Sequence, residues 1–182
     1  MRKLIVIAFM YCGCSIHSSN VSKITSVDSL VKLATIADSL RDLPSSISYY
    51  NRILEIDSTK LIALLNRGRD YVYSKQAEKG ISDYDKAVKY YPCASTFFAR
   101  GIGYTIIGNY NRAFQDFLIA KTYDSNYAKA YYGLSVVELN HNRLNSAARL
   151  CHKADSLKYD AGLSEYIKAQ IKKNKGDTLS KD

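Results

Sequence analysis

The chain has 182 residues, of which 47% are apolar, a proportion that suits one domain with a helical core rather than several large domains. Its formal net charge is +9, but the excess cations are spread thinly, whereas a nucleic-acid interface gathers its cations in a patch or stripe. Nucleic acid is therefore not an expected partner. The charge leaves two interpretations open: an ordinary solvated surface, or a mild attraction to anionic lipid head groups or to an acidic partner.

The chain begins with the order of an export signal. Arg2 and Lys3 form a short basic region, and the eight residues of 4–11 are apolar. Since a membrane-spanning helix needs about 20 residues, this run is too short to cross a bilayer. A basic start followed by a short apolar run is typical of a secretory signal peptide.

The end of this segment resembles the bacterial lipoprotein signal, in which cleavage falls directly before a cysteine that becomes acylated. Gly13 before Cys14 suits that cleavage, whereas the bulky Tyr11 makes Cys12 the poorer candidate. The family prefers leucine where Tyr11 stands, so a plain secretory signal and an ordinary apolar N-terminus remain the alternatives. The resemblance implies a signal peptide over 1–13 and an acylated Cys14.

A serine-rich segment with few charges follows over 14–26, and its composition predicts a flexible tether between the lipid and the folded part. More than one acyl chain at Cys14 gives stable membrane attachment. We therefore expect a membrane-anchored lipoprotein of the cell envelope that faces the periplasm.

Three small residues set a regular period in the rest of the chain. Gly68, Gly101 and Ser135 lie 33 and 34 residues apart. A period of this size is typical of a stack of helical hairpins, in which neighbours bury the apolar faces that one hairpin cannot bury alone. The spacing therefore predicts paired helices over most of the chain.

The side chains around these small residues recur in a similar order. In each copy, the first predicted helix carries a large apolar residue followed by a small residue. The second predicted helix carries a small residue, then a larger residue, and then another small or apolar residue. The copies are Leu64, Gly68, Tyr71, Gly80, Tyr84, Ala87 and Pro92; Phe97, Gly101, Tyr104, Ala113, Phe117 and Ala120; Tyr131, Ser135, Ala147, Cys151 and Ala154; and a degenerate first copy at Leu30, Ala34, Ala37, Ser46, Tyr50 and Ile53.

This order resembles the tetratricopeptide repeat, which places an aromatic residue, Leu-Gly and Tyr on its first helix, and Ala, an aromatic residue, Ala and Pro on its second. The resemblance implies an all-α fold, a right-handed α-solenoid of helix-turn-helix repeats. It also implies a protein-binding role, because such arrays usually hold other proteins. The four repeats are expected at about 27–60, 61–93, 94–127 and 128–160.

Two kinds of substitution depart from the repeat pattern. Gly80 stands where the family has Ala, at a loss of about 1 kcal/mol of helix propensity. Arg67 and Arg100 stand where the family has Leu, so we expect both guanidinium groups to reach water.

Apolar residues recur at three- to four-residue spacing in a lysine-rich segment after the fourth repeat. This pattern predicts one more amphipathic helix over 161–174, which caps the stack with a polar outer face. We expect the tail over 175–182 to be disordered. The apolar residues of the capping helix are Leu163, Tyr166, Ile167 and Ile171.

No combination of residues matches a catalytic or metal-binding motif. His141 and His152 lie eleven residues apart without the cysteine or carboxylate pattern of a zinc site. Asp83 and Asp85 are two residues apart on a predicted helix, so their side chains face different ways. We therefore expect no enzyme activity, cofactor, metal or small-molecule substrate.

The first helices of such arrays line a concave groove, and residues four apart on one helix form a stripe on its surface. Here the stripe contains apolar residues that the helix-to-helix core does not need, and exposed apolar surface of this kind marks a partner site. We expect its apolar and aromatic residues to provide affinity for a protein or peptide, and Arg69 and Asn66 to fix its direction. The candidate binding residues are Leu65, Asn66, Arg69, Tyr73, Phe98, Ile102, Tyr132 and Val136.

The sequence leaves two functions open. The first is a lipid-anchored scaffold of the bacterial cell envelope that binds a protein or peptide in its groove. The second is a self-associating structural or assembly component of an envelope complex, in which the array dimerises through the stripe or through its C-terminal helix. The chain's own capping helix or tether could also fill the stripe.

Overall fold

A computed structural model describes residues 26–159 and 162–179, and within these ranges all regular secondary structure is helical. The nine helices of the described ranges are α1 (Val27–Ser39), α2 (Leu43–Ile56), α3 (Leu61–Tyr73), α4 (Ala77–Tyr90), α5 (Ala94–Ile106), α6 (Tyr110–Tyr123), α7 (Ala128–Asn140), α8 (Leu144–Ser156) and α9 (Leu163–Leu179).

The first eight helices form four hairpins: α1–α2, α3–α4, α5–α6 and α7–α8. Turns of three residues join the helices of each hairpin, and turns of three or four residues join one hairpin to the next. Such short turns make neighbouring helices antiparallel. Each hairpin packs on the next, and the first helices α3, α5 and α7 also contact one another in order. The hairpins lie within the four predicted repeat ranges.

The two helices of a hairpin approach closely where both carry a small residue. In the second hairpin, a Cβ atom added to Gly80 would lie 2.5 Å from the carbonyl oxygen of Gly68 and 2.6 Å from the side chain of Val72. Gly80 is therefore more than a weak helix former, because it permits a backbone contact that alanine would obstruct.

Buried side chains from the repeated positions fill the spaces between the helices. Tyr50 is fully buried in a cluster with Leu30 and Ile53 of the first hairpin. Phe117 is fully buried in a central cluster with Leu134 of the next hairpin. The apolar positions of the sequence repeat thus form the core, as the pattern predicts.

Each turn inside a hairpin contains one residue in the left-handed backbone region. This conformation is easy for glycine but is strained for a residue with a Cβ atom. Only the third turn has glycine there, so the other three turns carry some strain. The four residues, with φ of 57°, 62°, 77° and 57°, are Arg41, Lys75, Gly108 and Asn142.

The expectation that Arg67 and Arg100 reach water is met only in part. Their side chains are only 16% and 20% exposed. Arg67 donates two hydrogen bonds to Asp83, at 2.7 and 2.6 Å, and Arg100 donates two to Asp116, both at 2.8 Å. A carboxylate on the second helix of the same hairpin therefore neutralises each guanidinium, which makes burial possible.

Each of these arginines also donates a hydrogen bond to the preceding hairpin. Arg67 donates to Asn51 at 2.7 Å, and Arg100 donates to Asp85 at 2.8 Å. Asp83 and Asp85 therefore bind different arginines, and the prediction that their side chains face different ways is confirmed.

The last helix, α9, packs against α8 at the end of the stack. Ile167 is fully buried in a cluster with Ala147 and Cys151 of α8, and Ile171 packs against the same cluster. The helix continues to Leu179 and so extends beyond the predicted end of the capping helix at residue 174.

The membrane attachment predicted from the N-terminus falls outside the described residues. This applies to the signal peptide over 1–13, to Cys14 and to all but the last residue of the tether. In the described ranges, no helix has both the length and the apolar character needed to cross a membrane.

Candidate protein-binding groove

The predicted groove residues lie on α3, α5 and α7, the first helices of the second, third and fourth hairpins. Most recur at four-residue spacing and therefore share one side of each helix. Tyr73 is 59% exposed at the end of α3, and the others are partly buried.

Arg69 is held in place by two carboxylates at the N-terminal end of the groove. Its guanidinium donates to Asp38 of α1 at 2.6 Å and to Asp70 at 3.1 and 3.2 Å. It also donates to the side-chain oxygen of Asn66 at 3.2 Å. Because the Arg69 side chain is nevertheless 41% exposed, it is both ordered by the fold and accessible from outside.

The carboxyl groups of Asp38 and Asp70 also meet at one buried hydroxyl group. The Ser46 hydroxyl lies 2.6 Å from Asp38 and in still closer contact with Asp70. A hydroxyl donates only one proton, so Ser46 can donate to only one of the two carboxyl groups at a time. Burial raises the pKa of Asp70. Burial also opposes ionisation of Asp38, but hydrogen bonds from Ser46 and Arg69 outweigh it and lower the pKa of Asp38. Of the two carboxyl groups, Asp70 is therefore the one that takes up a proton more readily.

Tyr50 and Asn66 extend this polar network into the core. The Tyr50 hydroxyl donates to Asp38 at 2.9 Å and accepts from the amide of Asn66 at 3.0 Å. Burial and the hydrogen bond to the Asp38 carboxylate raise the pKa of Tyr50. Since both the oxygen and the nitrogen of the Asn66 side chain are used internally, Arg69 is the better candidate for fixing the direction of a bound chain.

The middle of the groove is apolar, and its side chains also serve the core. The ring of Phe98 lies 5.6 Å from that of Phe117 and 5.8 Å from that of Tyr127, between ring centres. Ile102 packs against the central cluster that contains Phe117. Only part of each side chain is left for a partner, so substitutions here affect stability as well as binding.

The C-terminal end of the groove is partly covered by the chain itself. The rings of Tyr132 and Tyr159, the latter just after α8, meet edge to face with their centres 5.4 Å apart. Burial raises the pKa of Tyr132. Val136 lies one turn further along α7 and is half-buried.

Sequence analysis missed the polar network around Asp38, Ser46 and Asp70. Asp70 occupies the repeat position that Gly103 and Val137 occupy in the next two hairpins, and all three positions are buried. A carboxylate at a position that is otherwise apolar or small is the one sequence signal that points to a buried polar contact.

A second concavity lies outside the groove, between α5, α6 and the turn that joins α7 to α8. Its volume is about 660 Å³. Several of its cations already have partners: Arg100 pairs with Asp116, and Arg143 pairs with Glu138 at 3.1 Å. The pocket therefore offers little unpaired charge to an anion. Its polar lining includes Arg100, Asn111, Arg112, Asp116, His141 and Arg143.

The groove itself offers contact surface: one ordered guanidinium, one exposed tyrosine and several partly exposed apolar side chains. Among the residues that the structure describes, no three His, Cys, Asp or Glu side chains are grouped so as to hold a metal ion.

Comparison with known proteins identifies the fold. No protein-family model matches the chain, and no curated protein matches its sequence. Solved structures do match. A crystal structure of MamA protein gives a TM-score of 0.62 at 21% sequence identity, over 72% of this chain and 73% of that one. PilF of Pseudomonas aeruginosa gives 0.73 at 16% identity, over 84% and 70%. MamA of Desulfovibrio magneticus RS-1 gives 0.65 at 15% identity, over 75% and 77%.

At these identities the matches establish the fold alone. Together with the four stacked hairpins they confirm the predicted fold class, an all-α, right-handed solenoid of the tetratricopeptide type followed by a C-terminal helix.

Proposed function

We propose that the chain is a lipid-anchored scaffold of the bacterial cell envelope that binds an extended protein segment along α3, α5 and α7. The observation that carries the proposal is the state of Arg69, which Asp38 and Asp70 hold in place while 41% of its side chain is accessible. A cation that is already ordered loses little conformational entropy on binding, so its hydrogen bonds to a partner add directly to affinity.

The groove suits a polypeptide segment that places a backbone carbonyl near Arg69 and apolar side chains against α5 and α7. Tyr73 is exposed one turn from Arg69, and Phe98 and Tyr132 each keep part of their surface accessible. Arginine, tyrosine and phenylalanine are enriched at protein interfaces, and arginine and tyrosine often dominate their energy. We propose binding rather than catalysis, because these groups provide contact and no arrangement for bond chemistry.

The charge around Arg69 narrows the kind of group that it would bind. Arg69 already pairs with two carboxyl groups, Asp38 and Asp70, so the site carries no excess positive charge. Such a site favours a backbone carbonyl over a carboxylate, since a carboxylate would also meet the negative charge of Asp38. We therefore expect an internal peptide segment in the groove rather than a chain terminus.

The anchor in this proposal is supported by the basic start, the apolar run over 4–11 and the Gly13-Cys14 pair. Mass spectrometry of the chain purified from membranes tests it. We expect a polypeptide that begins at Cys14 and carries the additional mass of acyl chains, and no such species from a Cys14→Ser chain. An unmodified Cys14 would contradict the anchor but would leave the groove untested.

A crosslinked pull-down from membranes tests the groove separately. The variant Tyr73→Ala removes an exposed groove residue, and Tyr166→Ala removes a tyrosine of similar exposure on α9. We expect capture of the partner to fall about tenfold for Tyr73→Ala and to stay unchanged for Tyr166→Ala. Equal capture by both variants would contradict the groove, provided that circular dichroism shows equal helicity. Capture of only further copies of the chain would support the alternative, a self-associating component.

A further inference from the structure

The turns between successive hairpins lie on one edge of the stack, where the first helices begin and the second helices end. We call this edge the junction rim. Within the described residues it comprises 55–62, 89–95, 122–129 and 156–159. Its large exposed apolar side chains are mostly tyrosines: Ile56, Ile62, Tyr90, Tyr91 and Tyr123.

Each of the four junctions also carries a lysine. Lys60 precedes α3, Lys89 lies in the last turn of α4, Lys129 lies in the first turn of α7, and Lys158 follows α8. None of the four forms an ion pair with a carboxylate of the described residues. Lys89 instead lies 5.7 Å from the ring centre of Tyr90. The lysines are therefore available to an anionic partner.

The acidic residues of the junction rim are engaged in local contacts. Glu55 pairs with Arg52 at 3.3 Å. Asp57 accepts hydrogen bonds of 3.0 and 2.8 Å from Thr59, and Asp124 accepts one of 2.9 Å from the turn that follows it. Arg52 offsets the charge of Glu55, whereas Asp57 and Asp124 stay negative, so the four lysines outnumber the uncompensated carboxylates of this edge by two.

The segment that precedes α1 joins the array at the same edge, because α1 begins there directly after Ser26. In the proposed function this segment carries the lipid on Cys14, and its twelve residues span about 40 Å when fully extended. The opposite edge lies about 20 Å further away, which is the length of α1. An anchor at Cys14 therefore lets the junction rim reach the bilayer with less extension of the tether than the opposite edge needs, although the tether is long enough for either edge.

We propose that the junction rim contacts an anionic lipid surface, an inference that rests on the proposed lipid anchor for its orientation. The lysines lie at the lipid phosphate groups, since basic side chains are attracted to anionic leaflets. The tyrosine rings lie at the head-group level, where amphipathic aromatic side chains are enriched. A lysine at every junction, beside exposed apolar side chains at most of them, fits an extended charged surface better than a single protein segment.

The opposite edge, formed by the turns inside the hairpins, provides a matched control. It also has exposed apolar residues, among them Leu40 and Ile107, and exposed cations such as Arg41 and Lys75. A surface that bound lipid through net charge alone would use both edges equally.

Vesicle binding by the full chain with Cys14→Ser tests the proposal. This chain lacks the acylation site, and any contribution of its apolar run over 4–11 is common to all variants compared. Co-sedimentation with vesicles of phosphatidylglycerol and phosphatidylcholine is compared with vesicles of phosphatidylcholine alone. The rim variant carries Lys60→Gln, Lys89→Gln, Lys129→Gln and Lys158→Gln, and the control variant, with the same loss of charge, carries Arg41→Gln, Lys75→Gln, Lys79→Gln and Arg112→Gln.

We expect the rim variant to bind the anionic vesicles at least about tenfold more weakly than the parent chain, and the control variant to stay within about threefold. Equal losses in the two variants would overturn the proposal, as would a parent chain with no preference for anionic vesicles. Circular dichroism establishes that the variants are equally folded.

The outcome separates this proposal from the proposed function. If Cys14 is unmodified but the preference for anionic vesicles depends on the rim lysines, the anchor is contradicted and the lipid-binding rim is supported. If Cys14 is acylated but vesicle binding does not depend on the rim lysines, the anchor is supported and the lipid-binding rim is contradicted. Binding of protein in the groove is unaffected in either case, because none of the substituted residues lies in it.

Discussion

Arg67 and Asp83 form a bidentate ion pair between the helices of the second hairpin, with nitrogen-to-oxygen distances of 2.7 and 2.6 Å. Arg100 and Asp116 repeat the same pair in the third hairpin. In both cases the carboxylate follows the arginine by sixteen residues. The pairs therefore belong to the repeat itself and link α3 to α4 and α5 to α6 at equivalent heights.

Breaking one of these pairs should destabilise the array more than removing it altogether. We expect Asp83→Ala to lower the free energy of unfolding by about 3 kcal/mol, because it leaves the Arg67 charge buried without a partner. Replacing both residues by leucine should restore most of the loss, since Leu134 and Leu150 occupy the equivalent positions in the fourth hairpin. Urea unfolding followed by circular dichroism measures both effects. A double variant as unstable as Asp83→Ala would contradict this account.

Gly80→Ala should destabilise the chain although alanine is the better helix former. The added Cβ atom would lie 2.5 Å from the carbonyl oxygen of Gly68, so the helices must move apart, at about 1–3 kcal/mol. Alanine is accommodated at the equivalent positions Ala113 and Ala147, both fully buried. Thermal unfolding measures the effect, and a higher melting temperature for Gly80→Ala would show that the close contact does not limit this hairpin.

Lys75→Gly should stabilise the second hairpin by up to about 1 kcal/mol. Lys75 has a φ of 62°, and glycine adopts this region without the steric strain of a Cβ atom. The converse substitution, Gly108→Ala in the third hairpin, should destabilise by a similar amount, because Gly108 has a φ of 77° and faces open space. Chemical denaturation of both variants measures the change in the free energy of unfolding. Unchanged stability in both would mean that these turns carry no strain.

Asp70→Asn should make stability less dependent on pH. Because the folded chain raises the pKa of Asp70 above its usual value near 3.8, the folded state binds more protons than the unfolded state in the range between the two values. The stability from this protonation is complete below the usual pKa and is lost as the pH rises through the raised value. Asparagine resembles the protonated acid, so the variant should lose less stability as the pH rises above about 4.

Asp38→Asn provides the matched comparison with the opposite sign. The pKa of Asp38 is lowered in the folded chain, so its contribution is present above the usual pKa and is lost as the pH falls. Free energies of unfolding measured across the pH range for both variants test the assignment. If the free energy of unfolding of Asp70→Asn changed with pH as it does in the parent chain, the pKa of Asp70 would not be raised in the folded state.

The fold could be predicted from sequence because its main constraints act within one hairpin. Gly68 and Gly101 are small because the second helix of the same hairpin passes directly over them, against Tyr84 and Phe117. Such local contacts recur with every repeat, so the period of 33 to 34 residues carries them. The sixteen-residue spacing of Arg67 and Asp83 is a signal of the same kind, and sequence reasoning overlooked it.

The polar part of the groove could not be predicted in the same way. Asp38 and Arg69 belong to different hairpins, and they meet only because α1 stacks beside α3 at a particular rotation. The period does not determine that rotation. A four-residue stripe also does not distinguish a groove residue from one that is shared with the core, and Phe98 is shared, since it packs against Phe117 and Tyr127.

Site-specific photocrosslinking at Tyr73 tests the protein-binding groove. A photoreactive phenylalanine analogue is placed at Tyr73 in the full chain in membranes, and at Tyr166 on α9 in a second chain as the control of similar exposure. We expect a crosslinked protein partner from position 73 and a different or absent product from position 166. Identical products from the two positions, or none from position 73 while position 166 gives one, would contradict a protein-binding groove on α3, α5 and α7.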